Sequence, residues 1–156
     1  MTGGNQEYHL RAGTENLSGI LGLAEALKIL SENQPSITEH LLQLRLHFEN
    51  GLKDSLADIV VTNGEGPRIA NTSNMTFLGV DGETLLIQLD QAGIAASHGS
   101  ACSSGAIEPS RILTQMGIDK KRAKSSIRFS MGRFNTKEEI DRALELIIDL
   151  VKKLKF

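Results

Sequence analysis

Residues 126–140 read SIRFSMGRFNTKEEI, and this stretch decides the fold. Its first half alternates. Ile127, Phe129 and Met131 are apolar, and Ser126, Arg128 and Ser130 between them are polar. That is the period of a β-strand whose two faces meet different surroundings. Its second half opens a helix. Thr136 and Glu139 make the T-x-x-E pattern, in which the two side chains satisfy free backbone N–H groups of the first turn. Ile140, Leu144, Ile147, Val151 and Leu154 then recur at helical spacing and form one apolar stripe on a long closing helix. A strand and a helix that each carry a single apolar face call for a layer of sheet packed against a layer of helix.

Upstream, the spacing predicts a helix over about 15–32, with Leu17, Ile20, Ala24 and Leu27 on one side. Pro35 is expected to break it. Ser36 and Glu39 form a second capping-box pattern, which predicts a new helix with Ile37, Leu41, Leu44, Phe48 and Leu52 inward. DIVVT (58–62) and SNMTFLGV (73–80) read as strands joined by the turn NGEGPR (63–68). Asp81 is a candidate cap for a helix over about 83–92 that Gly93 ends. IAAS (94–97) reads as a short strand, and EPSRILTQMG (108–117) as a short helix with proline near its start and glycine at its end. The expected class is α/β (α+β): a small sheet with helices packed on one side. No linker or internal repeat interrupts it, so residues 1–156 read as one domain.

Composition narrows the function. The formal net charge is −2 and aromatic residues make up 4%, with no tryptophan. Neither bulk attraction to nucleic acid nor a base-stacking surface is expected. No apolar run approaches the roughly 20 residues of a membrane span, and MTGGNQEYHL has no signal-peptide pattern. The expected compartment is cytoplasmic. One cysteine in 156 residues excludes an intrachain disulfide and a multi-cysteine metal site.

That cysteine, Cys102, lies in SHGSACSSG (97–105), between Gly99 and Gly105. The segment is too polar for a core, and its glycines and serines suit a thiol on an open loop, a nucleophile or redox group that a partner can reach. A lone cysteine that merely falls in a loop is the bland alternative. His98, four residues earlier, reads as a polar loop histidine, because a loop fixes no geometry between the two. Arg128 at a strand centre calls for an anionic partner, and a carboxylate matches its fork of donors. A structural salt bridge fits that spacing equally well. Thr14, in RAGTEN (11–16), stands near a helix start, where it is either an anion-binding residue or a simple N-cap. Lys152, Lys153 and Lys155 complement the dipole of the last helix.

GSACSSGAIEPSRIL (99–113), SSIRFSMGRFNTKEEID (125–141), GGNQE (3–7) and RAGTEN (11–16) together resemble, in order, the C-terminal part of the NifS/IscS-type cysteine desulfurases. These belong to the class-V branch of the fold-type I enzymes that use pyridoxal 5′-phosphate (PLP). The resemblance implies the small C-terminal domain of that fold, with residues 1–32 as loop and connecting helix and 33–156 as the small domain carrying the cysteine loop. It implies that Cys102 takes sulfur from L-cysteine as a persulfide and releases L-alanine. It implies further that Arg128 holds the substrate carboxylate and that Thr14 reaches the PLP phosphate of the other subunit of a homodimer. The sulfur would pass to an iron–sulfur scaffold or another acceptor protein. At the place of His98 the family more usually has a small hydroxyl residue. The family's cofactor lysine sits in Ser-x-His-Lys, yet none of the four histidines here precedes a lysine. The expectation is therefore a C-terminal portion that binds no PLP covalently and is inactive alone. A stand-alone sulfur-carrier or interaction module is the alternative, and selenocysteine lyase a weaker relative.

Overall fold

The computed structural model describes residues 3–64, 66–99 and 109–155. The chain divides into two compact units, Met1–Ser36 and Ile37–Phe156.

The first unit is a turn-rich lead followed by the start of helix α1 (Leu17–Ser55). Asn16 caps that helix: its Oδ1 accepts from the Gly19 N–H at 3.0 Å and from the Ser18 hydroxyl at 3.0 Å. The apolar positions Leu17, Ile20 and Leu27 are exposed in this chain. The break expected at Pro35 is absent, because α1 runs through it. Proline removes one backbone donor, but side chains stitch the turns around it. Asn33 Nδ2 donates to the Ile29 carbonyl at 2.9 Å, and Ser36 Oγ donates to the Asn33 carbonyl at 2.9 Å. Ser36 therefore bonds backward within a continuing helix and does not cap a new one.

In the second unit the remaining α1 residues are followed by β1 (Val60–Thr62), β2 (Thr72–Phe77), α2 (Gly82–Gln91), β3 (Ser97–His98), α3 (Arg111–Gln115), α4 (Lys120–Lys124), β4 (Ser126–Ser130) and α5 (Lys137–Lys155). The strands form an antiparallel sheet in the order β1-β2-β4-β3. Its centre is the β2–β4 pair, in register from Thr72↔Ser130 to Thr76↔Ser126. Asp81 caps α2 as expected, its carboxylate accepting from the Thr84 N–H at 2.8 Å. The expected strand at 94–97 shrinks to Ser97–His98. Helix α4 was not anticipated. Its Asp119 cap, which accepts from the Arg122 N–H at 2.9 Å, had offered a start signal.

Alternation builds the core. Met75 and Phe77 of β2 and Ile127 and Phe129 of β4 share one face with Val60, and all are buried. Against them pack Leu44, Phe48 and Leu52 of α1, Leu85 and Leu89 of α2, and Ile140, Leu144, Ile147 and Val151 of α5. The Phe48 and Phe129 rings meet at 4.9 Å between centroids, tilted by 59°. Gly51 lets α1 and α5 approach closely, since a Cβ there would come within 2.7 Å of Leu144 Cδ1. The closing capping box forms in both directions: the Glu139 N–H donates to Thr136 Oγ1 at 3.3 Å, and the Thr136 N–H donates to Glu139 Oε2 at 3.0 Å.

One ion pair is buried in this layer. Glu49 of α1, only 3% exposed, accepts two bonds of 2.7 Å from the Arg68 guanidinium and one of 2.7 Å from the Ser73 hydroxyl. It ties the 63–71 connection to the inner face of the sheet. Burial pushes the Glu49 carboxyl up, but the Arg68 and Ser73 hydrogen bonds and the Arg68 and Arg45 charges outweigh it and hold the group below its ordinary value. A carboxyl depressed in the folded state stabilises above its unfolded pKa, about 4.3 for glutamate, and that contribution fades as pH falls through the lower folded value. Urea midpoints should therefore drop on acidification below about pH 4.3, and Glu49→Gln should be less stable at neutral pH and flatten that acid limb. An unchanged acid limb in the variant would show that Glu49 does not carry it.

Candidate functional site

The outer face of β4 is where the sequence expectation and the geometry meet. Ile127 and Phe129 are buried, whereas Arg128 and Ser130 between and after them are exposed. Arg128 therefore points away from the core, as the alternation required. Its neighbours across the ladder are Asn74 of β2 and Ser97 of β3. Arg128 Nη2 donates to Ser97 Oγ at 3.2 Å. Among the described residues the ion pairs are Arg11 with Glu7 and Glu15, His47 with Asp141, and Arg68 with Glu49. None includes Arg128, so within those residues no structural salt bridge occupies it. Among the described residues Ser97 is the guanidinium's one hydrogen-bond partner, and the other donors of its fork have none there.

Beside Arg128 the same face closes over a polar cluster. Asn63, 5% exposed, lies just after β1. The two N–H groups of its Nδ2 face three acceptors, Asn74 Oδ1 at 2.7 Å, Thr76 Oγ1 at 2.8 Å and Ser126 Oγ at 3.1 Å. Its Oδ1 accepts from Arg122 Nη2 at 2.9 Å. The Ser126 hydroxyl in turn donates to the Arg122 carbonyl at 2.8 Å. Arg122 thus turns inward from α4 to brace three strands. Sequence reasoning missed this cluster, because Asn63 opens NGEGPR and reads as a turn former.

His98 belongs to β3 rather than to a loop. Its Nε2 donates to the Lys124 carbonyl at 2.8 Å, and the ring lies against Gly82, the first residue of α2. Thr14 lies in the first unit, ahead of α1. It is not the N-cap, a place taken by Asn16. The Arg11 guanidinium donates to the Gly13 and Thr14 carbonyls at 2.8 and 3.0 Å, and Gln6 Oε1 accepts from the Gly13 N–H at 3.1 Å. The RAGT turn is thereby held through its backbone, and among the described residues the Thr14 hydroxyl makes no hydrogen bond. A hydroxyl so placed fits a phosphate oxygen. Cys102 falls outside the described residues. Arg128 and His98 are thus brought onto adjacent strands, and Thr14 belongs to the other unit.

A cavity of about 480 Å³ opens elsewhere, lined by Ile94, Ala95, Phe129, Met131, Asn135 and Ala143 among others. Neither Arg128 nor His98 lines it. Among the described residues no cluster of His, Cys, Asp and Glu could hold a metal ion, and no helix is long and apolar enough to cross a membrane.

Residues 2–143 match the family described as Aminotransferase class-V. The chain belongs to the class-V aminotransferase family. This class-V chain is 41% identical over 155 residues to a cysteine desulfurase of Klebsiella pneumoniae, covering 99% of itself and 39% of that relative. It is 42% identical to the cysteine desulfurase IscS of Methanosarcina thermophila, covering 98% of itself and 38% of that relative. Among solved structures, a NifS-like protein superposes with a TM-score of 0.83 at 30% identity, over 99% of this chain and 39% of the other. A NifS-like protein from Rickettsia africae gives 0.76 at 30% identity, with the same two coverages. The class-V chain thus spans about two-fifths of the length of the relatives it matches, and its small sheet with helices on one side is that of fold-type I PLP enzymes.

The polar cluster yields a test. Asn63→Ala leaves Thr76 and Ser126 their mutual bond of 2.8 Å but takes away the acceptor of the Arg122 guanidinium, and a buried polar group left so costs about 1–3 kcal/mol. The variant should lose about 2 kcal/mol or more in chemical denaturation. A loss below about 0.5 kcal/mol would mean that water replaces the asparagine at no penalty.

Proposed function

We propose that this chain is the C-terminal part of a PLP-dependent cysteine desulfurase. In this reading Cys102 takes sulfur from L-cysteine as a persulfide, L-alanine is released, and the sulfur passes on for iron–sulfur cluster or thio-cofactor assembly. The observation that carries the reading is Arg128: an exposed guanidinium at the centre of β4, steadied by Ser97 and lacking an acidic partner among the described residues. Its fork fits the α-carboxylate of an amino acid with two parallel bonds. The desulfurase relatives and the cysteine motif point to the same chemistry.

Each residue then has a defined task. Arg128 binds and orients the substrate carboxylate. Thr14 donates its hydroxyl to the phosphate of PLP, across the interface of a homodimer. When bound, PLP supplies an electron sink that weakens the bonds around the substrate's Cα and Cβ. The Cys102 thiolate attacks the substrate sulfur. The new S–S bond forms as the Cβ–S bond breaks, and its electron pair stays with the substrate carbon, which takes up a proton and leaves as alanine. The lysine that holds the cofactor belongs to another part of the enzyme, so the 156-residue chain alone should show no turnover.

Two substitutions in the intact, PLP-loaded protein test the reading. Cys102→Ser should abolish persulfide formation and alanine release, while L-cysteine still perturbs the cofactor's absorbance. Loss of both responses would refute a thiol that acts only on the sulfur. Arg128→Lys should raise the KM for L-cysteine by about tenfold or more, because a point charge replaces one of two bonds to the carboxylate. Unchanged KM and kcat would remove Arg128 from the substrate site.

A further inference from the structure

A very short strand precedes the segment that carries Cys102. β3 is two residues long and pairs with β4 only through Ser97↔Arg128 and His98↔Ile127. So little ladder does not hold a strand in place by itself. The His98 ring provides a further attachment. Its Nε2 donates at 2.8 Å to the carbonyl of Lys124, the last residue of α4. The terminal carbonyls of a helix lack intrahelical partners, so the ring supplies a donor that α4 needs. Space for the ring comes from Gly82. A Cβ at that position would lie 2.6 Å from His98 Nε2 and 2.7 Å from its Cδ2, and would collide with the Lys124 carbonyl oxygen. The start of α2, the end of α4 and β3 therefore meet at one imidazole.

The contact also sets which ring nitrogen donates. A carbonyl oxygen only accepts, so Nε2 carries the proton. Nδ1 is shielded and has no partner among the described residues. One residue back along the strand, Ser97 Oγ accepts from the guanidinium of Arg128. A continuous link thus runs from α4 through His98 and Ser97 to Arg128, and a serine or threonine at position 98 is too short to make it.

We infer that His98 is a positioning residue: by pinning β3 to α4 it holds Ser97 where it orients the Arg128 fork for the substrate carboxylate. This rests on the desulfurase reading above. His98 itself touches no substrate and acts through Ser97.

The test uses the intact, PLP-loaded protein and three variants. Glutamine carries its amide nitrogen at the reach of Nε2, whereas asparagine reaches only as far as Nδ1. His98→Ala and His98→Asn should raise the KM for L-cysteine about five- to tenfold, the worth of one net hydrogen bond, with kcat within about twofold. His98→Gln should restore KM to within about twofold of wild type. NMR supplies readouts apart from turnover. The wild-type His98 imidazole should show a slowly exchanging Nε2–H. The Arg128 Nε–H resonance should shift in His98→Ala and stay in place in His98→Gln. A ring without a protected Nε2–H, an unmoved Arg128 resonance in His98→Ala, or equal KM values in all three variants would overturn the inference. Absence of alanine release by the wild-type protein would refute the desulfurase reading instead, and the imidazole and Arg128 resonances would still decide whether His98 positions the guanidinium.

Discussion

The β2–β4 ladder is the constraint on which the remainder depends. Five residue pairs, Thr72↔Ser130 to Thr76↔Ser126, lock one strand against the other. Because side chains alternate, this register sends Ile127 and Phe129 to the helices and Arg128 to the outer face. A slip by one residue would reverse every side chain. It would bring an unpaired guanidinium into the apolar layer, at a cost far above that of losing a single apolar contact. Core formation and exposure of the candidate carboxylate-binding group are therefore one event, set by the same hydrogen bonds.

The two faces protect that register by different means. On the inner side, Phe48 lies against Phe129, Gly51 admits Leu144, and the Glu49–Arg68–Ser73 group satisfies the only acid buried there among the described residues. On the outer side no comparable apolar layer forms among the described residues. Asn63, Thr76, Ser126 and Arg122 bond to one another. Such a network has direction as well as strength, since each member has few arrangements in which all its groups are satisfied. That makes it suited to steadying a site: Asn74, which accepts from Asn63, is also the cross-strand partner of Arg128.

Much of this was legible in the sequence where a local pattern and the tertiary environment agree. The alternation in SIRFSM, the Thr136–Glu139 box, the Asp81 cap and the stripe Ile140–Leu144–Ile147–Val151 each name a structure that packing then reinforces. The departures occur where one local signal met a stronger context. Pro35 and Ser36 spell the end of one helix and the start of another, yet side-chain bonds to the Ile29 and Asn33 carbonyls accompany a continuous α1. Thr14 is the kind of residue that caps helices, but Asn16 stands closer to the first turn and takes the role. Asn63 and His98 were opaque for a different reason. Their partners are Thr76, Ser126, Arg122 and Lys124, distant in sequence, and no spacing rule connects them. Gly82 reads as an ordinary glycine until the imidazole beside it is known.

The strand order also leaves β1 on a rim of the sheet, with one row of backbone groups unpaired by β2. Such rims invite the wrong neighbour, because a stray extended chain can continue the ladder and seed aggregation. Here β1 is only three residues long, and Lys53 and Arg68 help to line the groove alongside Val60–Thr62. A passing strand would find few hydrogen bonds to make and a positive charge close by. Brevity in this strand thus works as insurance against misassembly.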